Sequence, residues 1–352
     1  MATRTYKRSV RIMFGPAFFV QHLEGEGLRI QFDVTRDSRS NPDMATVRIT
    51  NLADSTRKLL QGMFDELSNA RKVIINTPLI PDAARAASLF ALEESFKFRI
   101  FAGYGLNPTQ IFQGNLVEFE RETKANGTDY VTTFKAGDGL TAYRDGYISE
   151  AFAPGVTMET FRKTVQLAMG LAESPDATAV VSAVAPQAVI TQAANGLVAV
   201  GKASKALDKL AEMYGLQWWV RDGLIYYVPQ GSVTLDFSIL LIEGQDLISV
   251  PTPKSNDDVS GKALLNGDLH PGRGMFVVKL PRPTDLILNP MTGLRGEHVG
   301  SANGLRCEKV HHFGDTHSNP YYTEFEARTA TTAIAAPVLE FTEAEVTALA
   351  LG

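Results

Sequence analysis

The chain has 352 residues, of which 44% are hydrophobic and 21% charged, a composition that is typical of a folded globular protein and excludes wholesale disorder. Its 34 Lys and Arg residues against 39 Asp and Glu residues give a net charge of −5. That balance argues against general nucleic-acid binding, because phosphate affinity requires clustered cations. The one cysteine, Cys307, excludes an internal disulfide framework and a cysteine-based zinc site.

The N-terminal sequence lacks the apolar segment of a signal peptide, and no apolar run reaches the roughly 18–20 residues of a membrane span. We therefore expect no membrane span and a chain that can fold in a reducing cytoplasm. At roughly 100–200 residues per domain, the length predicts two or three domains.

Residues 1–150 are predicted to form a small antiparallel β-barrel or sandwich. Apolar and polar residues alternate with period two over 28–34 and 45–49, which is the pattern of strands with one buried face. Further strands are predicted at 72–75, 96–104, 110–122 and 129–135.

Two other features interrupt this β region. Asp54 or Ser55 is expected to cap a helix with an apolar stripe through Leu67. An insertion is predicted near 78–94, and Asn126-Gly127 is a strong signal for a tight turn between the last two strands.

Residues 151–232 change character and are predicted to form a small α/β domain. In chain order, its predicted elements are a helix over 157–171, a linker over 172–195, a helix over 202–214 and a hairpin of strands 216–220 and 224–228. Thr157 is a candidate cap, Gly215 a helix stop and Asp222-Gly223 the hairpin turn.

Residues 233–330 are predicted to be β-structure again, and 331–352 to be a C-terminal tail that forms a short docking helix or is disordered. The predicted strands of this region cover 233–241, 247–250, 259–265, 274–280, 304–312 and 321–327.

The segment from Gly196 to Lys202 has the glycine and lysine spacing of a phosphate-binding loop. Ala203 replaces the hydroxyl that would hold Mg²⁺, the four intervening residues are apolar, and no parallel-strand arrangement is predicted around it. We interpret the segment as a loop that enters the following helix, and we expect no cofactor site.

Three residues near the C-terminal end of a predicted strand, His311, Asp315 and His317, could in principle hold a metal ion. However, His311 and His312 should point to opposite faces of the strand, and residues 313–315 are predicted to turn. We therefore expect a polar strand end and no metal site.

Acidic side chains alternate along another predicted strand, at Glu118, Glu120 and Glu122, with Val117, Phe119 and Arg121 on the opposite face. Like charges on one face are costly unless they are hydrated or paired, so this face is either a solvent-facing edge or an acidic channel wall. The motifs of serine hydrolases and HExxH metalloproteases are absent from the sequence, and Cys307 has no recognisable catalytic partner. We expect no catalytic residue and no enzyme activity.

The predicted hairpin carries both tryptophans of the chain, Trp218 and Trp219. Alternation places Trp218 against the helix that carries Leu207 and Leu210. Trp219 is then predicted to be partly exposed, or covered only by a neighbouring subunit.

Four stretches, taken in order, resemble phage baseplate hub proteins. The first runs from Phe32 to Leu60 and the second from Arg99 to Glu122. The third is the helix and hairpin from Ala203 to Gly231, and the fourth combines 263–278 with 304–327. Together the four stretches follow the order found in that family across most of residues 25–330.

The resemblance is to the late-control hub family of contractile-tailed phages and to the hub-like half of type VI secretion spikes. It implies two tube-like antiparallel β-barrel domains, at 1–150 and 233–330, together with the small α/β domain at 151–232. It further implies a homotrimer whose six tube-like domains form a ring, adapting a sixfold tail tube to a threefold spike and leaving a channel for DNA.

The implied partners are the tail tube protein, the central spike protein, other baseplate proteins and a tape-measure protein, while DNA passes through without specific binding. The implied location is the virion tail baseplate, after assembly in the host cytoplasm. The alternatives are a tail-associated cell-wall or carbohydrate-active enzyme and a hub-like component of a related contractile injection system.

Overall fold

Strands dominate the computed structural model of the chain. It describes residues 7–15, 18–77, 84, 88–89, 91–92, 95–125, 129–174, 196–243, 245–253, 258–279, 297–299 and 304–331. The predicted turn at Asn126-Gly127, most of the insertion near 78–94, nearly all of the linker at 172–195 and nearly all of the tail at 331–352 lie outside these residues.

The N-terminal β region contains eight of the strands and one long helix. In chain order these are β1 Arg8–Phe14, β2 Phe18–Leu23, β3 Glu26–Gly27, β4 Ile30–Asp37, β5 Met44–Thr50, α1 Asp54–Asn76, β6 Lys97–Tyr104, β7 Thr109–Ala125 and β8 Asp129–Gly137. Most of the predicted strands here are confirmed, because their alternation matches one buried and one wet face.

The predicted strand at 72–75 is wrong, because helix α1 continues to Asn76. Its apolar stripe buries Leu60 and Leu67, and each further residue adds one backbone hydrogen bond to the helix already formed. Arg71 then donates to the Asp145 carboxylate at 2.9 Å, which ties the last turns to the next region. The strand preference of the β-branched residues at 73–75 is outweighed by these helix contacts.

The described part of the middle region contains three helices and a hairpin. Its elements are α2 Leu140–Asp145, β9 Tyr147–Phe152, α3 Met158–Met169, β10 Ala172–Glu173, β11 Leu197–Lys202, α4 Ala203–Tyr214, β12 Leu216–Arg221 and β13 Leu224–Pro229. Thr157 caps α3 by accepting a hydrogen bond from the Thr160 N–H, and Gly215 ends α4 at φ +61°, so both predictions are confirmed.

The C-terminal β region contains β14 Ile239–Ile242, β15 Leu247–Pro253, β16 Asp258–Leu264, β17 Gly274–Lys279, β18 Glu297–Val299, β19 Leu305–Asp315 and β20 Tyr321–Thr329. The strand predicted from 233 starts only at Ile239, since Thr234 bonds instead to the Gly272 carbonyl. The turn predicted at 313–315 is also wrong. There β19 continues to Asp315, and Gly314 fits closely against the Phe32 ring.

One sheet runs through both β regions. Its strand order is β15-β16-β20-β19-β4-β5-β8-β7-β6-β1-β2-β3, and β14, β17 and β18 attach to it through β19. The two regions meet where β4 pairs antiparallel with β19, from Asp37–Lys309 to Gln31–Asp315. The predicted mainly β fold is therefore confirmed.

Three main clusters of buried residues accompany these regions. Tyr321 and Leu265, from the C-terminal part of the chain, belong to the first cluster. The Tyr321 hydroxyl donates to the Ser9 carbonyl oxygen at 2.8 Å, so the two β regions share a core as well as a sheet. The domain limits at 150 and 232 stay a prediction.

None of the helices in the described part of the chain combines the length and apolar character needed to cross a membrane.

Candidate functional site

Over seven neighbouring strands, from β16 to β7, the sheet has one buried apolar face and one polar face. Along β4, Ile30, Phe32 and Val34 are buried, while the intervening side chains are partly exposed. The same alternation in β5 and β20 places polar residues on the same side. We call the partly exposed side the polar sheet face.

One row of paired residues crosses this face without a break. Strand register connects, in order, Leu264, Tyr322, Phe313, Asp33, Thr46, Lys135 and Glu118. The row begins in the C-terminal β region and ends in the N-terminal one. The polar sheet face is therefore continuous across the junction of β4 and β19.

Opposite charges are paired along the polar sheet face. Lys262 Nζ lies 3.0 Å from the Glu324 carboxylate, and His311 lies 2.9 Å from Asp33 and 3.5 Å from Glu324. The hydrogen bond to Asp33 is the main cause that raises the pKa of His311. Lys135 bridges two carboxylates at the far end of the face. This pairing leaves a hydrated surface of mixed charge.

A groove of about 670 Å³ follows the polar sheet face beside β15. Asp33, His311 and Glu324 lie on its floor, and Ser249 and Thr252 of β15 line it too. Its walls combine hydroxyl groups, paired charges and Lys309, whose ammonium makes no ion pair within the described residues. Among the described residues that line the groove, no hydroxyl group is held by a base as a nucleophile would be.

The hairpin of β12 and β13 is a second candidate site, because all three regions of the chain meet there. One face carries Trp218, Val220 and Tyr227, which pack in the core of the middle region as predicted for Trp218. The turn is formed by Asp222 and Gly223, both at positive φ, which is the geometry expected for Asp-Gly.

The exposure predicted for Trp219 is wrong, since this side chain is 1% exposed within one chain. It stacks on Tyr226 at 5.6 Å and lies beneath the Arg306 guanidinium of β19. Arg306 also donates to Gln217 at 2.7 Å, and Gly272 leaves room for the indole. Both faces of the hairpin are therefore buried, the second one against the C-terminal β region.

A buried ion network joins the hairpin turn to the N-terminal β region. Arg36 donates to Asp43 at 3.0 Å, to Asp222 at 3.3 Å and to the Ile111 carbonyl oxygen at 3.1 Å. The Arg36 and Asp43 side chains are almost completely buried. We did not predict this network, although Arg36 follows Ile30, Phe32 and Val34 in the inward positions of β4.

Residues Leu197–Lys202 form a strand, not the predicted loop. This strand, β11, pairs antiparallel with β9, and α4 starts directly at Ala203. A strand paired in this way does not form the cradle of backbone N–H groups that a phosphate needs.

Of the three candidate metal ligands, His311 is held apart from Asp315 and His317. His311 bonds to Asp33 on the polar sheet face, while His317 lies beside Thr316. Burial alone would raise the pKa of Asp315. Hydrogen bonds from Arg29, the His317 N–H, Ser318 and Gln31 instead hold this pKa below its usual value. Within the described residues, no group of three or more His, Cys, Asp or Glu side chains is arranged to hold a metal ion.

The strand predicted to carry the acidic residues is β7, which lies inside the sheet between β8 and β6. Its acidic side chains belong to the polar sheet face. Glu118 and Glu120 are exposed and share Lys135, whereas the Glu122 side chain lies outside the described residues. Val117 is exposed as well, contrary to the predicted alternation, because a bulge after Leu116 shifts the register.

Two solved tail proteins share this fold over nearly their whole length. The 43 kDa tail protein of prophage MuSo2 from Shewanella oneidensis matches with a TM-score of 0.50 and 7% identity, covering 91% of this chain and 98% of that one. The tail protein of Neisseria meningitidis MC58 matches with a TM-score of 0.52 and 10% identity, covering 92% and 96%.

A component of the E. coli type VI secretion system also matches, with a TM-score of 0.49, 7% identity, and coverage of 95% of this chain and 80% of that one. No protein-family model and no curated protein matches the sequence. The matches to the two tail proteins show that the chain has the fold of phage tail proteins, as its resemblance to baseplate hubs implied.

Proposed function

We propose that the chain is a structural hub of a phage tail baseplate, and that the polar sheet face lines its channel. The observation that carries this proposal is the pairing of β4 with β19, which makes one continuous polar surface out of two β regions. The shared fold with two phage tail proteins supports it independently. The role is mechanical and not catalytic.

Three copies would place six β regions around one axis. Such a ring offers six similar contacts to a tail tube protein on one side, and threefold symmetry to a central spike protein on the other. Other baseplate proteins and a tape-measure protein are the remaining partners of this proposal. The hub would assemble in the host cytoplasm and reside in the virion tail.

The charge of the chain suits a passage for DNA. With −5 per chain, a trimer carries −15 and repels a polyanion. On the polar sheet face, Lys262 and Lys135 are each paired with carboxylates, which lowers their attraction for phosphate. DNA would then move through without being held.

We expect the purified protein to have the solution mass of three chains of 38.3 kDa and to appear in negative stain as a ring with a central hole. Light scattering measures the mass, and class averages show the symmetry. A monomer at micromolar concentration, or compact particles without a hole, would contradict the hub. Incubation with cell walls is the control for a lytic enzyme, and no release of fragments is expected.

A further inference from the structure

The end of β8 and the hairpin turn meet at Asp138 and Gly139. The Gly223 N–H donates to one carboxyl oxygen of Asp138, Oδ1, at 3.0 Å. A Cβ atom on Gly139 would lie 2.8 Å from the Val220 side chain, so the two segments are in close contact. Asp138 therefore lies where the hairpin docks on the N-terminal β region.

The second carboxyl oxygen of Asp138, Oδ2, is buried and makes no hydrogen bond within the described residues. A carboxylate in this position carries its charge without a direct donor at that oxygen, which is costly. Burying a protonated carboxyl group costs less free energy, because the group is neutral. The geometry thus favours a neutral Asp138 in the docked state.

The titratable groups around Asp138 come from several elements of the fold. Asp43 precedes β5 and Asp222 lies on the hairpin turn, and both are acidic. Arg36 of β4 is already shared between them, while Lys97 of β6 and Tyr143 of α2 complete the surroundings. An ionised Asp138 would be the third carboxylate around Arg36.

Burial is the largest cause that raises the pKa of Asp138, and the charges of Asp222 and Asp43 raise it further. Arg36 and Lys97 act in the opposite direction, and the resulting pKa is about 8. Burial also raises the pKa of Asp43, but only to about 6. At neutral pH, Asp43 is therefore the ionised partner of Arg36, and Asp138 is the neutral acid.

We propose that Asp138 is a protonation-controlled latch, which holds the β12–β13 turn on the N-terminal β region while it is neutral and releases the turn when it ionises. The Gly223 N–H would still donate to an ionised Asp138. The turn is released because the new charge repels the Asp222 carboxylate on the turn and the Asp43 carboxylate before β5. The hydrogen bonds that Asp222 makes with Arg36 and Gln113 weaken when the turn is released, because Asp222 lies on that turn.

The direction of the pH effect follows from proton binding. In the unfolded chain Asp138 has its ordinary pKa of 3.8, so between about 3.8 and 8 only the folded form keeps the proton. Stability contributed by this group is complete below 3.8 and decreases as the pH rises. It is lost once the pH passes the folded pKa of about 8.

The two tryptophans of the chain report on the latch, because both lie on β12. We expect the tryptophan emission of the wild-type protein to shift to longer wavelength in a transition near pH 8, measured from pH 6 to 9.5. Asp138→Asn keeps an oxygen that accepts from Gly223 but has no charge. It should abolish this transition while leaving the emission at pH 7 unchanged.

Asp222→Asn is the second variant, because it removes a neighbouring charge and Asn tolerates the positive φ at this position. It should move the midpoint of the transition to lower pH by at least half a unit. Asp268→Asn, at an exposed acid, should leave the midpoint in place. The latch would be overturned if Asp138→Asn still showed the transition seen in the wild-type protein. It would also be overturned if the midpoint in Asp222→Asn stayed in place or moved to higher pH.

Discussion

We expect Trp219→Ala to lower the free energy of unfolding by about 3–5 kcal/mol, the range for deleting a large aromatic side chain from a core. Trp219 is 1% exposed and packs between Tyr226 and Arg306. Trp218→Ala should cost a similar amount, because Trp218 fills the core on the other face of the hairpin. Urea denaturation followed by circular dichroism measures both values.

Phe237→Ala is the matched control, since this aromatic residue is 91% exposed. Its replacement should change the free energy of unfolding by less than about 0.5 kcal/mol. If Trp219→Ala behaves like this control, the hairpin does not pack against the C-terminal β region in one chain.

The second large effect is expected for Arg36→Met, which should lower the free energy of unfolding by about 3–5 kcal/mol. The substitution leaves Asp43 buried without its counter-ion and removes one of the contacts that hold Asp222. Arg36 also donates to the Ile111 carbonyl oxygen, which loses that donor. The same urea titration at pH 7 measures the loss.

A double variant separates the lost charge pair from lost packing. Asp43→Asn in the Arg36→Met background removes the uncompensated carboxylate and should recover part of the stability. Arg39→Met is the surface control, three residues away with its side chain 72% exposed, and should cost less than about 1 kcal/mol. An Arg36→Met variant as stable as the Arg39→Met control would show that the network does not hold the regions together.

Local patterns predicted the strands whose two faces differ. β4 and β5 alternate between buried and exposed side chains, and the prediction placed the ends of β4 within three residues and those of β5 within one. The capping residue Thr157 and the stop at Gly215 were also read correctly, because capping chemistry is local. Predictions of burial were less accurate where a side chain is covered by a distant part of the chain.

Trp219 is the clearest case of that limit. Period two correctly placed it opposite Trp218, but nothing within the hairpin shows that β19 covers the second face. The pairing of β4 with β19 is equally non-local, as it joins residues more than 270 positions apart. Arg36 could have been noticed, since an arginine at an inward strand position requires buried partners.

Electron cryo-microscopy of the purified protein tests the central claim most directly, at a resolution that separates the strands. We expect a threefold ring in which Lys135, His311 and Lys262 of the polar sheet face point into the central hole. A ring whose polar sheet face lies on its outer surface, or a particle without a central channel, would contradict the account.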